Sequence, residues 1–186
     1  MLLVKTHEWG KGGRAPFQVI LLLPIHLHHL LLQAAILLLR EPFPSILAEF
    51  NRRSGGHIGH ASQEKFQREG GKLWTDFVRA KAQEWEDMNT DWLLHFPGPL
   101  LVLSYSSLRA QVEQELRRTL DFLGVSLTRE QLACALRRQE GIYRRRPGSR
   151  SRGQLVGEDL QAMLQERWGR VKRIAEARAL EGREGG

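Results

Sequence analysis

The sequence has almost no cysteine: Cys134 is the only one in 186 residues. A lone cysteine cannot form a disulfide within the chain and provides no cysteine cluster for zinc. The sequence also lacks an internal repeat, a Gly-x-Ser-x-Gly nucleophile turn and the signatures of zinc-finger, RNA-recognition and helix-turn-helix modules. These absences argue against a disulfide-stapled scaffold, a serine hydrolase of that type and a sequence-specific nucleic-acid-binding protein.

One long apolar run covers residues 19–39 and has the length of a membrane span. Pro24 and three histidines interrupt the run, which weakens that interpretation, and membrane insertion through it is kept as an alternative. The histidines, His26, His28 and His29, have no aspartate, glutamate or cysteine close in sequence. Because a ligand histidine normally needs an oriented polar partner, we predict no metal site here.

Residues 15–33 follow neither the two-residue period of a strand nor the 3.6-residue period of a helix. Their Leu, Pro, Ile, His and Phe residues can all be written in pyrimidine-rich codons, and the segment ends in Gln33, for which CAG is a codon. A translated pyrimidine tract ending in AG is typical of the 3′ end of an intron. We interpret residues 15–33 as an insertion or a gene-model artefact, which transcript reads across the segment would test.

Positive charge is concentrated late in the chain. The formal net charge is +7 at pH 7, and residues 137–152 contain seven arginines against one glutamate. Pro147 and several glycines predict a basic loop over residues 141–153 rather than a helix. Two interpretations stay open: a clamp on a multiply phosphorylated small ligand, or a charged loop that binds polyanions.

Apolar runs alternate with helical patterns, which predicts an α/β fold with a mostly parallel sheet and right-handed crossovers. The predicted strands are residues 1–4, 34–39 and 100–105. Predicted helices begin at the N-caps Ser45 and Thr128 and cover residues 72–96, 108–123 and 155–174, and glycines in residues 51–59 are expected to end the first helix. The tryptophans of residues 72–96 are interpreted as core, with Lys81 the one polar member of their stripe. We predict a single domain over residues 1–178 and a frayed tail over residues 179–186.

Arg40 follows the predicted strand of residues 34–39 directly and precedes Pro42 and Pro44. Ligands of open α/β sheets bind outside the carboxyl ends of the strands. An arginine there, close to a helix N-terminus, is suited to a phosphate or a sulfate. We therefore predict an anion site at this sheet edge.

Three motifs occur in a fixed order: VKTH at residues 4–7, REP at residues 40–42 and YRRRPG at residues 143–148. This order resembles the sulfotransferase superfamily, whose members use PAPS (3′-phosphoadenylyl sulfate) as sulfuryl donor on an α/β, P-loop-like fold. The chain is most similar to the sulfotransferase domain of WSC-domain-containing proteins, Golgi membrane enzymes that resemble sialic acid O-sulfotransferases. The similar stretches are VKTHE, AAILLLREPFPSILAEFNRRSGGHIG, DWLLHF, LLVLSY, FLGVSL and GIYRRRPG.

The resemblance implies a role for each matching position. His7 is expected to be the general base that takes the proton of the acceptor hydroxyl, and Lys5 to stabilise the charge that develops on the transferring sulfuryl group. Arg40 is expected to bind the 3′-phosphate of PAPS. The implied cofactor-binding residues are Arg40, Ser45, Arg144, Arg145, Arg146 and Gly148, and no metal is implied.

The sequence also departs from the family pattern. The first strand and the phosphosulfate-binding loop of the family would lie before Met1, so the resemblance implies a partial domain and leaves open whether this form is active. Ala48 stands where many relatives have a phosphate-binding serine, with Ser45 nearby, and Ser106 and Ser107 replace a common acidic pair.

The function expected from this resemblance is transfer of a sulfuryl group from PAPS to a hydroxyl of a glycan, such as sialic acid, on a glycoprotein or glycolipid. The expected location is the Golgi membrane, through an N-terminal anchor outside this sequence or, less favoured, through residues 19–39. No specific nucleic acid is expected as a partner. The alternative is a non-catalytic basic module that binds glycosaminoglycan, RNA or acidic lipid through residues 144–152.

Overall fold

The structure is a computed structural model that describes residues 34–56, 58–140 and 155–184. These residues form two strands and a larger helical part. In chain order the elements are β1 (Ala35–Leu39), α1 (Pro42–Gly55), α2 (Gln63–Gln67), a 3-10 turn (Arg68–Gly71), α3 (Lys72–His95), β2 (Leu100–Ser104), α4 (Tyr105–Ala110), α5 (Val112–Leu123), α6 (Arg129–Arg137) and α7 (Glu158–Glu184).

The two strands pair in parallel, with Ala35 opposite Leu100 and Leu39 opposite Ser104. Both strands agree with the predicted boundaries to within a residue, and their parallel pairing agrees with the predicted crossover connection. The predicted strand of residues 1–4 lies outside the described residues. The wider P-loop-like sheet therefore stays a prediction.

Helix α1 begins four residues earlier than predicted, at Pro42, with Glu41 rather than Ser45 at the N-cap. Proline is tolerated in a first helical turn because the N–H groups of that turn have no acceptor within the helix. Ser45 therefore lies inside the helix, where its hydroxyl donates to the carbonyl oxygen of Glu41 at 2.8 Å. The prediction of Ser45 as the N-cap was wrong.

The prediction that glycines in residues 51–59 end the first helix is confirmed, since α1 ends at Gly55 and Gly56 follows as its C-cap with a φ of 73°. Two of these glycines also allow close packing: a Cβ on Gly55 would lie 2.9 Å from the carbonyl oxygen of His60, and a Cβ on Gly59 would overlap the carbonyl oxygen of Gly55. The buried side chain of Asn51 fixes the returning chain by accepting the Ala61 N–H at 2.8 Å. This turn thus depends on two glycines and one asparagine.

Two cores meet along α3. The first holds an aromatic cluster between α1, α2 and α3, in which the ring of Phe50 lies 4.9 Å from that of Phe66 and 4.7 Å from that of Trp74. The second lies between the sheet, α3 and α7 and includes Trp85. The core interpretation of Trp74 and Trp85 is confirmed, because both side chains are buried.

Lys81 does not belong to the buried stripe of α3. The buried position beside it is Ala82, whereas the Lys81 ammonium forms an ion pair with Glu84, one turn along the helix. The buried stripe of α3 therefore has the apolar Ala82 where the prediction placed the polar Lys81, one residue later in the helix.

An ion-pair group joins α3 to α7. Glu86 on α3 accepts from Arg167 and Arg170 on α7, with the Arg170 Nε atom 2.7 Å from Glu86 Oε1. The hydrogen bond from Arg170 lowers the pKa of the Glu86 carboxyl; partial burial opposes this shift, and the charge of Arg167 adds to it. Glu86 therefore stays ionised between the two helices at neutral pH.

The later helices differ from the sequence signals in two ways: the single helix predicted over residues 108–123 is divided at Gln111 into α4 and α5, and the last helix differs in length. Thr128 and Gln131 form the predicted capping box of α6, and Gly124 ends α5 with a positive φ of 63°. Helix α7 was predicted to end at about residue 174 and continues to Glu184. Within the described ranges, no helix is both long and apolar enough to cross a membrane.

The glycine turn generates a test of close packing. Gly59→Ala is expected to lower the free energy of unfolding by about 2 kcal/mol or more, because its Cβ would meet backbone that cannot move without shifting α1. Gly169→Ala in α7 is the matched control. It should raise the free energy of unfolding by about 0.5–1 kcal/mol, since its Cβ meets only the end of the Arg173 side chain. Urea denaturation measures both, and equal effects of the two substitutions would contradict the packing role.

The α3–α7 ion pairs generate a test of pH dependence. Glu86→Gln should lower the free energy of unfolding by about 1–3 kcal/mol at neutral pH, because Arg167 loses its carboxylate partner and Arg170 keeps, among the described residues, only the exposed Glu166. A carboxyl whose pKa is lowered by folding stabilises the protein above its unfolded pKa of about 4.3 and loses that effect as the pH falls through the folded value. The difference between wild type and variant should therefore shrink below about pH 4.3.

Glu166→Gln is the control for this pH test, because Glu166 is largely exposed and pairs only with Arg170 among the described residues. Its effect should stay within about 0.5 kcal/mol. A Glu86→Gln effect that does not change between about pH 7 and pH 3.5 would refute the assignment.

Candidate functional site

The carboxyl ends of β1 and β2 lie side by side, because Leu39 pairs with Ser104 in the parallel register. The next residue on each chain segment is Arg40 after β1 and Tyr105 after β2. The sheet edge at which ligands bind in open α/β folds therefore carries one cation and one aromatic ring as neighbours.

Arg40 and Tyr105 are in direct contact. The guanidinium carbon of Arg40 lies over the Tyr105 ring, 4.3 Å from its centroid, and both side chains are half-buried. Such a cation–π contact is worth about 0.5–1 kcal/mol at an exposed site and more where water is excluded. The Tyr105 ring thus lies against the guanidinium group of Arg40.

Arg40 has no acidic partner in the part of the chain that the structure describes. Its guanidinium forms no hydrogen bond or ion pair with any residue of the described ranges, and this includes its chain neighbour Glu41. Many other arginines have glutamate partners at 4 Å or less: Arg52, Arg53, Arg117, Arg118, Arg167 and Arg170. The N–H edge of Arg40 is therefore open to an anion from outside.

The backbone of Arg40 is anchored from α3. The indole Nε1–H of Trp85 donates to the Arg40 carbonyl oxygen at 3.1 Å, and the Trp85 ring packs against Trp168 of α7, with ring centroids 6.0 Å apart. Because Trp85 is buried in the second core, the strand end cannot move without disturbing that core.

Helix α1 contributes less to anion binding than its position suggests. Pro42 and Pro44 have no backbone N–H, so only Phe43 carries one among the first three helical positions. Ser45 directs its hydroxyl proton to the carbonyl oxygen of Glu41, and it would have to rotate to donate to a ligand. Arg40 is therefore the main donor at this end of β1.

Hydroxyl groups lie at the end of β2. The Oγ atoms of Ser104 and Ser106 are 2.8 Å apart, and Ser104 Oγ accepts the Ser107 N–H at 3.4 Å as the N-cap of α4. Helix α4 has six residues, too few for its N-terminus to act as an anion site by itself. These serines supply polarity beside Arg40 and no charge.

Only part of the predicted site can be located. Arg40 lies at the sheet edge as predicted, and Ser45 lies one helical turn into α1. The other predicted residues, Lys5, His7, Arg144, Arg145, Arg146 and Gly148, lie outside the described residues, as do the three histidines of residues 26–29. In the part of the chain that the structure describes, no group of three His, Cys, Asp or Glu side chains could hold a metal ion.

Tyr105 is the site residue that sequence reasoning missed. It was predicted only as the last residue of the strand of residues 100–105, with no role. The signal that could have found it is an aromatic residue directly after one parallel strand and an arginine directly after the next. That signal becomes specific only when the register of the two strands is known.

Comparison with known proteins identifies relatives. The chain is 44% identical over 146 residues to WSCD family members of Drosophila melanogaster, Aedes aegypti and Drosophila pseudoobscura pseudoobscura. The chain is a homologue of these WSCD family members. The similarity covers 78% of this chain and 41–42% of the length of each WSCD relative, so the chain spans about two fifths of those proteins. No protein-family profile and no solved structure matches the chain.

The Trp85 anchor generates a test of the site. Trp85→Phe keeps an aromatic ring and removes the donor to Arg40, so the free energy of unfolding should fall by about 1 kcal/mol from the lost hydrogen bond, in addition to any packing loss. The backbone NMR signals of residues 40 and 41 should shift as well. Trp74→Phe is the control, because its indole donates to Leu155 in the other core. Unchanged signals at residue 40 in Trp85→Phe would contradict the anchor.

Proposed function

We propose that this chain is part of a PAPS-dependent sulfotransferase domain in which Arg40 binds the 3′-phosphate of the nucleotide. One observation carries the proposal: a half-buried arginine, which has no acidic partner among the described residues, lies at the carboxyl end of a parallel strand. A guanidinium recognises phosphate through two parallel N–H···O bonds, which suits a terminal phosphate monoester. The homology to WSCD family members supports the family resemblance, and the sulfotransferase class itself rests on the resemblance of the motifs.

The proposed reaction is an in-line transfer of a sulfuryl group. The oxygen of an acceptor hydroxyl attacks the sulfur of PAPS, the bond from sulfur to the bridging phosphate oxygen breaks, and PAP (adenosine 3′,5′-bisphosphate) leaves. His7 takes the hydroxyl proton, and Lys5 offsets negative charge on the transferring group. These two roles rest on the resemblance of the VKTH motif.

The remaining parts of the proposal concern the ligands and the location. The arginines of residues 144–146 and Gly148 would close over the same phosphate as Arg40, and Ser45 could donate after rotation of its hydroxyl. The acceptor would be a glycan hydroxyl, with sialic acid as one candidate, and the location the Golgi membrane. All of these are carried by the resemblance of the motifs.

The second candidate is a non-catalytic module that binds polyanions through residues 144–152. The observation that favours it is the surplus of arginine in residues 137–152, of which Arg137 and Arg138 are exposed at the end of α6. Binding of this kind is driven by counterion release, so it weakens steeply with salt and discriminates little among polyanions.

Calorimetry with two nucleotides tests the assignment of Arg40. PAP and AMP (adenosine 5′-monophosphate) differ only by the 3′-phosphate. Substitution of a residue that binds this phosphate must therefore weaken the binding of PAP and leave the binding of AMP unchanged. Arg40→Ala should weaken PAP binding about 10-fold or more and AMP binding less than about 2-fold. Arg117→Ala is the control, because Arg117 is exposed and paired with Glu113, and it should leave both affinities unchanged.

The same titrations separate the two candidate functions. A sulfotransferase domain should prefer PAP to ATP at fixed salt, whereas a polyanion module should bind both weakly and lose them together as salt rises. Equal losses of PAP and AMP in Arg40→Ala, or no loss of PAP, would refute the role of Arg40.

A further inference from the structure

We propose that Tyr105 is a positioning residue that acts through Arg40, with its ring holding the guanidinium plane in the orientation that binds the 3′-phosphate. This inference rests on the proposed function and adds a residue to its site. The geometry is direct: the Arg40 guanidinium carbon lies 4.3 Å from the Tyr105 ring centroid, at adjacent ends of two paired strands.

Arg40 is held at two points that leave its donors open. The Trp85 indole fixes its carbonyl oxygen at 3.1 Å, and the Tyr105 ring lies against its guanidinium. The N–H groups donate to no residue in the described part of the chain. A ring against the guanidinium face restricts rotation and directs the N–H groups outward along the edge of the plane, which is the geometry of bidentate phosphate binding.

An arginine without such support would lose more side-chain freedom when it binds. Long side chains lose the most rotamer entropy on being fixed, and the stacked ring imposes that loss before the ligand arrives. Other arginines reach a fixed orientation through glutamates, as Arg170 does with Glu86, but their charge is then neutralised. An aromatic support orders Arg40 and keeps its full charge for the anion.

The positioning role requires the ring of Tyr105 and not its hydroxyl. That hydroxyl forms no hydrogen bond with a residue in the described ranges. Tyr105→Phe and Tyr105→Trp keep a ring that can support a guanidinium, whereas Tyr105→Leu keeps an apolar side chain and removes the ring. The three variants therefore separate positioning from direct contact of the hydroxyl with the nucleotide.

The test begins without ligand, by NMR of the Arg40 Nε–Hε group. Wild type, Tyr105→Phe and Tyr105→Trp should show the upfield shift of a proton held over an aromatic ring, and Tyr105→Leu should lose it. An Arg40 signal that is the same in Tyr105→Leu and wild type would overturn the inference, whatever the nucleotide does. Thermal unfolding of each variant checks that it is folded. If Tyr105→Leu does not fold, loss of the upfield shift in the folded Tyr105→Phe or Tyr105→Trp variant would still overturn the inference.

PAP calorimetry on the full chain then tests the function of the contact. Tyr105→Leu should weaken PAP binding about 2- to 10-fold and Tyr105→Phe less than about 2-fold, and Tyr105→Leu should add nothing in an Arg40→Ala background. Equal weakening by Phe and Leu, or a full Leu effect without Arg40, would overturn the positioning role. If the ring shift is present and neither wild type nor variants bind PAP, the proposed function fails while the Arg40–Tyr105 contact stands.

Discussion

The hydrogen bond from Trp85 to the carbonyl oxygen of Arg40 is the constraint on which the candidate site depends. It connects the strand end to α3, the helix that contributes to both hydrophobic cores. The ion pairs of Glu86, one residue further along α3, fix the same level of this helix to α7. The position of Arg40 is therefore set by packing between helices and not by the loop that follows the strand.

Charge is arranged differently at the sheet edge and on the helices. On α1, α5 and α7, arginines pair with glutamates three or four residues away in sequence or, for Glu86, across a helix interface. On α1, hydrogen bonds from Arg52 and then Arg53 lower the pKa of the Glu49 carboxyl to about 2. Such pairs are satisfied within the protein and have little left to offer a ligand. Arg40 differs because its neighbour is an aromatic ring, which orders the side chain without neutralising it.

The sequence predicted well what local patterns determine. The apolar runs of β1 and β2, the capping box at Thr128 and the length of α3 follow from residues close in sequence. The start of α1 was misplaced because Pro42 and Pro44 look like helix breakers and are compatible with a first turn. The glycines of residues 51–59 were predicted only to end α1, and two of them, Gly55 and Gly59, are also needed for close packing. Tyr105 was missed because its contact depends on strand register, which no local pattern contains.

The hydrogen bond from Trp85 makes Arg40 the fixed part of the candidate site. Arg40 needs no movement of α1, since the prolines of α1 leave that helix few donors to offer and the Arg40 backbone is held by Trp85. A phosphate at this edge would therefore meet a preformed donor. The conformational entropy of the Arg40 side chain would be lost when the protein folds and not when the phosphate binds. Recognition of the rest of a nucleotide would then fall to residues at other strand ends and in the basic segment of residues 141–153. The sheet edge would fix where the nucleotide binds, and those segments would decide how tightly.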